Sequence, residues 1–202
     1  REMTLDQILN LVGVEEAMAN CPWSTSDNAI RTSKKEIIGN RLIRNCHIVP
    51  AFYGERGTHI IDKEEQLKGT DFRTASHNID AKVSIGDFRD DDMHFYECVP
   101  IEISQNQKIT FTEDKDTTDV LFVNINLNTE EVHFLSVPYG IILKIVRLNI
   151  APTVLDKVNP LYISGQKTSQ NGSGVFIKMP ICRLIDFPGV CYSKQKLNME
   201  TM

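Results

Sequence analysis

Apolar and polar positions follow two different periods along this chain, and the change falls near Gly69. Before it, apolar residues recur at helical spacing. Thr4, followed by Asp6 and Gln7, reads as a capping box, and Leu5, Ile8, Leu9, Leu11 and Val12 predict a first helix that ends near Gly13 or runs on to Ala19. Ser33 with Glu36 three residues on reads as a second box, after which Ile37, Ile38, Leu42 and Ile43 carry a helix to about Asn45. Pro50 to Gln66 holds Gly54, Gly57 and a charged run, so it reads as a connecting loop with a short strand at His59 to Ile61.

After Gly69 the runs are short, rich in Val, Ile and Phe, and separated by polar turns: Asp71 to Thr74, Asn78 to Ile85, Phe95 to Ser104, Asp119 to Leu127. This pattern predicts a sheet. Val132 to Leu135 adds a strand, and Val137 to Leu148 is apolar enough for a helix packed on the sheet, with Pro138 in its first turn. From Asn149 the pattern weakens, leaving two further strands, Leu161 to Ser164 and Gly174 to Met179, around the turn Asn171 to Gly174. No repeat or second domain stands out, so the expectation is one domain over residues 1–202, with residues 149–202 an extension packed on the core.

Side chains alternate across a strand, so in Ile79-Asp80-Ala81-Lys82-Val83 the acid and the ammonium share one face while the apolar residues take the other. Asp71 lies nine residues before Asp80. If it ends the neighbouring strand of a hairpin, its carboxylate falls within a few Å of Asp80, and the two repel unless a cation lies between them. Mg²⁺, with Mn²⁺ as substitute, suits that place because it takes oxygen ligands, commonly one or two carboxylates plus a substrate phosphate. Such a set suffices for phosphodiester hydrolysis. The ion activates water and neutralises phosphate charge, and Lys82 positions or deprotonates the water. Glu102, in the following strand, would complete the metal shell, and Glu36, on the upstream helix, would be a further acid.

At these residues the chain resembles the PD-(D/E)xK nuclease superfamily, with Asp71 as the first acid, Asp80 as the second and Lys82 as the lysine. Lys68-Gly69-Thr70-Asp71, then Ile79 to Lys82, then Pro100 to Ser104, then Thr117 to Val123 are similar to a subgroup of phage and mobile-element proteins. Thr70 stands where a Pro precedes the first acid in the superfamily pattern. The resemblance spans residues 33–148. It implies an α/β restriction-endonuclease-like αβββαβ core, a mixed central sheet flanked by helices, a divalent metal and DNA cleavage. The C-terminal β elements are extra to it.

Composition narrows the partners. With 22 Lys and Arg against 27 Asp and Glu, the net charge of −5 excludes a polycation that coats nucleic acid, so DNA contact must come from a local patch. The basic residues available for it are Lys34, Lys35, Arg41 and Arg44 on the second helix, with Arg31 just before it, and Lys68, Arg73 and Lys108 near the acids; solvated surface is the alternative for the helix. Five cysteines without CxxC spacing read as reduced thiols of a cytoplasmic protein, and no run is long enough for a membrane helix. The five histidines lack zinc spacing, Asp87 to Asp92 lacks the Gly and Glu of a calcium loop, and no GxSxG or P-loop order occurs.

Three structural alternatives stand beside the nuclease reading: Asp71 as a turn cap, Lys82 as a surface ion pair with Asp80, and Glu36 as the partner in the Ser33 box. The functional expectation is a Mg²⁺-dependent deoxyribonuclease, working as a homodimer if it cuts both strands. A non-catalytic nucleic-acid-binding or assembly protein on the same fold is the rival, and a structural protein of a phage or mobile element is a third reading.

Overall fold

The computed structural model describes residues 3–87, 94–103, 109–111, 116–149, 163–169 and 172–202. Its N-terminal third is helical: α1 (Leu5–Leu9), α2 (Val14–Asn20), α3 (Asp27–Asn45), α4 (Ile48–Tyr53) and, after the two-residue strand β1 (Thr58–His59), α5 (Lys63–Leu67). The Thr4 box forms as expected, with the Thr4 hydroxyl accepting from the Gln7 amide and the Gln7 side chain accepting from the Thr4 amide. The helix it opens stops at Leu9, and α2 restarts from Gly13.

The Ser33 box does not form. α3 starts seven residues earlier, capped by Ser26, whose hydroxyl accepts from the Ala29 amide at 3.2 Å. Ser33 lies inside the helix, buried, and donates to the Ala17 carbonyl of α2 at 2.7 Å. A packing contact between helices thus uses the hydroxyl that local sequence assigns to a cap. The segment expected to be a loop is also partly helical. His47 and Gly54 bracket α4 in left-handed backbone, and Asp62 caps α5 by accepting from the Glu64 and Glu65 amides.

The strands divide between two sheets. One has six, in the order β1, β2 (Phe72–Arg73), β3 (Asn78–Gly86), β6 (Asp119–Asn126), β7 (Glu131–Pro138), β10 (Cys191–Lys196). Every neighbouring pair in it is antiparallel except β3 and β6, which are parallel, so the sheet is mixed. β4 (His94–Ile103) and β5 (Ile109–Phe111) follow β3 in the chain but join β8 (Ile163–Ser169) and β9 (Gly172–Pro180) in a separate four-stranded sheet. The last helix, α6 (Tyr139–Asn149), begins directly after β7, whose final residue is Pro138.

Every residue of β6 is buried, as expected of a central strand covered on both faces. Its Leu121, Val123 and Ile125 join Ile38 and Leu42 of α3 and Ile79 of β3 in one apolar cluster. α3 approaches β3 closely because Gly39 has no side chain: a Cβ there would stand 2.9 Å from the Cβ of Val83. Glu36, one turn before Gly39, is therefore carried towards the polar residues of β3. Among the described residues no helix is long and apolar enough to cross a membrane.

Candidate functional site

The run Lys68-Gly69-Thr70-Asp71 ends α5 and delivers Asp71 to the sheet. Gly69 adopts a positive φ of 84°, its amide bonds the Gln66 carbonyl at 3.0 Å, and the Thr70 amide bonds the Glu65 carbonyl at 3.2 Å. These are the two closing bonds of a Schellman motif, which needs a left-handed residue at the position Gly69 fills. The cap function of this turn belongs to Gly69, and the Asp71 side chain is left for other work.

The Asp71 backbone is held between strands, its amide bonding the Ile79 carbonyl and its carbonyl accepting from the Ile60 amide, each at 2.7 Å. β2 and β3 pair through Phe72 with Ile79 and Arg73 with Asn78. Beyond that ladder the Ala81 amide donates to the Asp71 carboxylate at 2.8 Å. The bond draws Asp71 against β3, where its carboxyl group is in hydrogen-bond contact with that of Asp80. Asp80 is buried, and Lys82, on the same face two residues on, holds its ammonium 3.5 Å from an Asp80 oxygen.

Burial pushes the pKa of Asp71 well above the usual carboxylate range, and the neighbouring Asp80 charge adds to it; the Ala81 amide and Lys82 pull the other way. Two carboxyl groups this close cannot both ionise cheaply. A cation between them would remove the repulsion.

A cleft of about 380 Å³ opens over this pair. α3 lines one side of it with Thr32, Lys35, Glu36, Gly39 and Asn40, residues spaced to share one helical face. Glu36 is exposed at the mouth yet crowded by protein atoms, and the crowding raises its pKa against the favourable fields of Lys82 and Lys63 and a hydrogen bond from Asn20. Asn20 is the hub of the wall. Its amide nitrogen donates to Ser33 at 2.9 Å and to Glu36 at 3.3 Å, while its oxygen accepts from the Lys63 ammonium at 2.9 Å. Lys63 also donates to Gln66 at 3.1 Å, and Gln66 is anchored on the Ile60 carbonyl at 2.8 Å.

Asp71, Asp80, Lys82 and Glu36 therefore line one cleft. Because Ser33 caps nothing, Glu36 is not the partner in a capping box, and its place in the cleft wall is set by α3 packing on β3. Glu102 lies on β4, whose Glu102 pairs with Thr110 in the second sheet; its side chain falls outside the described residues, as do Lys108 and residues 88–92 of the acidic run. Arg41 clamps the N-terminal helices, with both Glu16 oxygens at 2.8 Å and the carbonyls of Leu11 and Met202 at 3.4 and 3.3 Å. Arg73 pairs with Glu65 at 2.5 Å, and Arg44 donates to its own helix at Asn40. Lys34 and Lys68 do not line the cleft; the cations that do are Lys35, Lys63 and Lys82.

The sequence reading did not reach Asn20, Lys63 or Gln66. Asp62 followed by Glu65 at capping-box spacing was a usable signal for α5 and hence for Lys63 and Gln66. Asn20 had none, because its role depends on α2 crossing α3.

Among the described residues no three His, Cys, Asp or Glu side chains stand close enough to hold an ion by themselves. The donor set in the cleft is the Asp71 and Asp80 pair, which suits an ion that fills its remaining positions with water and substrate oxygens, as Mg²⁺ does. Compared with protein-family profiles and with curated proteins, the chain matches none.

Proposed function

We propose that the chain is a metal-dependent deoxyribonuclease of the restriction-endonuclease-like type, hydrolysing DNA phosphodiester bonds in the cleft between α3, α5 and β3. The observation that carries this is the contact of two carboxyl groups, one buried in a strand and one drawn in from the preceding turn, with an ammonium beside them. A hairpin with an acid at its open end, a D-x-K strand and a helix bearing a further acid across a cleft support this reading.

When bound by Asp71 and Asp80, Mg²⁺ or Mn²⁺ supplies Lewis acidity at the scissile phosphate and a lowered water pKa. The chain supplies the rest. Asp71, whose pKa burial holds high, gives up its proton when the ion binds, so the pair carries the full negative charge that a divalent ion requires. Lys82 orients the attacking water and sets positive charge where the phosphate becomes more negative. Glu36 closes the opposite wall, held by Asn20 and countered by Lys63.

The test is cleavage of linear, circular and single-stranded DNA with Mg²⁺ or Mn²⁺, alongside binding at fixed salt, for the wild type and Lys82→Ala. Cleavage should fall by roughly two or more orders of magnitude in the variant while DNA affinity changes little. A wild type that binds DNA but cuts none of these substrates, with Lys82→Ala binding equally well, would make the chain a non-catalytic nucleic-acid-binding protein.

A further inference from the structure

Trp23, in the turn between α2 and α3, lines the carboxylate cleft and yet remains 58% exposed. Leu67, at the end of α5, also lines it and is 68% exposed. Both are large apolar side chains open to water on the lining of a polar cleft. Lys35 and Lys63 line the same cleft, so its lining combines an aromatic face, an apolar edge and positive charge.

A nucleotide matches that combination. Its phosphate meets the ammonium groups and its base offers a π face to the indole. In a duplex both faces of a base are already stacked, so an indole at this position can be used only by a base that is unstacked. The cleft volume of about 380 Å³ lies at the lower end of the roughly 300 to 1,000 Å³ range of pockets that enclose small ligands, a size that admits a single nucleotide. Resting on the nuclease reading for the chemistry at the floor of the cleft, we infer that Trp23 is a stacking platform for an unpaired base beside the scissile phosphate. The preferred substrate is then single-stranded DNA, as a free strand, a flap or a frayed end.

Trp23 is the single tryptophan of the chain, so indole emission reports this position alone. The full-length protein is titrated, in the absence of divalent ions, with a deoxythymidine oligonucleotide, a blunt duplex and a base-free oligomer of the same sugar-phosphate length. The deoxythymidine strand should quench the emission and the other two should leave it nearly unchanged. Trp23→Ala should bind that strand roughly five- to a hundred-fold more weakly, and Trp23→Phe should recover most of the loss. Circular dichroism checks that both variants keep the wild-type fold.

Unchanged emission with the deoxythymidine strand, or equal weakening of single-strand and duplex binding in Trp23→Ala, overturns the inference. Mg²⁺-dependent cleavage separates this result from the reading it rests on. Cutting with no change in emission leaves the nuclease and removes the platform; quenching and a Trp23→Ala defect without cutting leave a single-strand binder and remove the nuclease.

Discussion

The two ends of the β2–β3 hairpin treat carboxylates in opposite ways. At the turn, Glu55 accepts from the Ser76 hydroxyl at 2.6 Å and the Ser76 amide at 3.1 Å, with His77 at 3.6 Å. The Thr74 hydroxyl accepts from the amides of Ser76 and His77, and the Tyr53 ring lies 4.9 Å from the His77 ring. Hydrogen bonds from Ser76 and Thr74 draw the Glu55 pKa down to about 2. At the open end, Asp71 meets one backbone amide and another carboxyl group, and burial and Asp80 drive its pKa up. Glu55 is supplied with donors and closes a turn. The Asp71 and Asp80 pair is held together at an electrostatic cost that a divalent ion would remove, and perturbed carboxylates of this kind collect at functional sites.

The hardest test of that contrast is to neutralise the open end. Asp80→Asn should reduce Mg²⁺-dependent cleavage by at least about a hundred-fold, since it removes a ligand and leaves Asp71 without its partner. Millimolar Mg²⁺ or Mn²⁺ should raise the melting temperature of the wild type, because the ion binds the folded state alone. Asp71→Ala combined with Asp80→Ala should abolish the rise. An undiminished rise would place the ion elsewhere, with the acidic run Asp87 to Asp92 as the first position to test.

The two ends also give opposite pH slopes. Asp71 has a folded pKa above its unfolded one, so the stability it contributes is complete below the ordinary carboxylate range and is lost as pH rises through the raised value. Glu55 has a lowered pKa, so its contribution is present above that range and is lost as pH falls towards about 2. In chelator, the melting temperature should therefore decline from mildly acidic pH through neutrality, and Asp71→Asn should flatten the decline. Divalent ions should flatten it as well, their binding tightening with pH as Asp71 loses its proton. A decline that persists in Asp71→Asn would assign it to another group.

The open end depends on the close approach of α3 to β3. Gly39→Ala puts a methyl group 2.9 Å from the Val83 Cβ, an atom fixed to the backbone, so the helix must move. The expected loss is about 1 to 3 kcal/mol, or ~2 to 4 °C in melting temperature for each kcal/mol, read by denaturant and thermal unfolding. Cleavage should drop too, because Glu36 and Lys35 travel with the helix. Unchanged stability would mean that α3 and β3 pack more loosely than the Cβ position requires.

This dependence on tertiary approach explains which parts of the molecule were legible in the sequence. Asp80 and Lys82 sharing a face follows from strand alternation, and Asp71 joining them follows from a four-residue hairpin turn; both are local. The start of α3 was misplaced because Ser26 and Ser33 are both acceptable caps, and burial of Ser33 against the Ala17 carbonyl decides between them. β3 was followed in sequence by a strong strand containing Glu102, yet its neighbour in the sheet is β6, more than thirty residues away. Parallel pairing needs a long crossover, and nothing in the alternation of β4 says which sheet it will join. β10 carries no apolar alternation, since Cys191-Tyr192-Ser193-Lys194-Gln195-Lys196 is a polar edge strand fixed by its antiparallel register on β7.

The smallest effect is expected from Glu55→Gln, which keeps the shape of the side chain and its ability to accept from Ser76 while removing the charge. If the turn end is structural, cleavage with Mg²⁺ should stay within about two-fold of the wild type and the melting temperature near pH 7 should shift by only about one or two degrees. The acid limb of the pH profile should flatten, since no group with a lowered pKa remains there to be protonated. His77 stands 4.0 Å from the buried Asp119 as well as near Glu55, so it joins the turn to the start of β6, the strand beside Asp80. If that join passed strain to the open end, Glu55→Gln would reduce cleavage ten-fold or more without a matching fall in stability. The contrast between a satisfied carboxylate and a repelling pair would then have to be given up, because both ends of the hairpin would belong to one site.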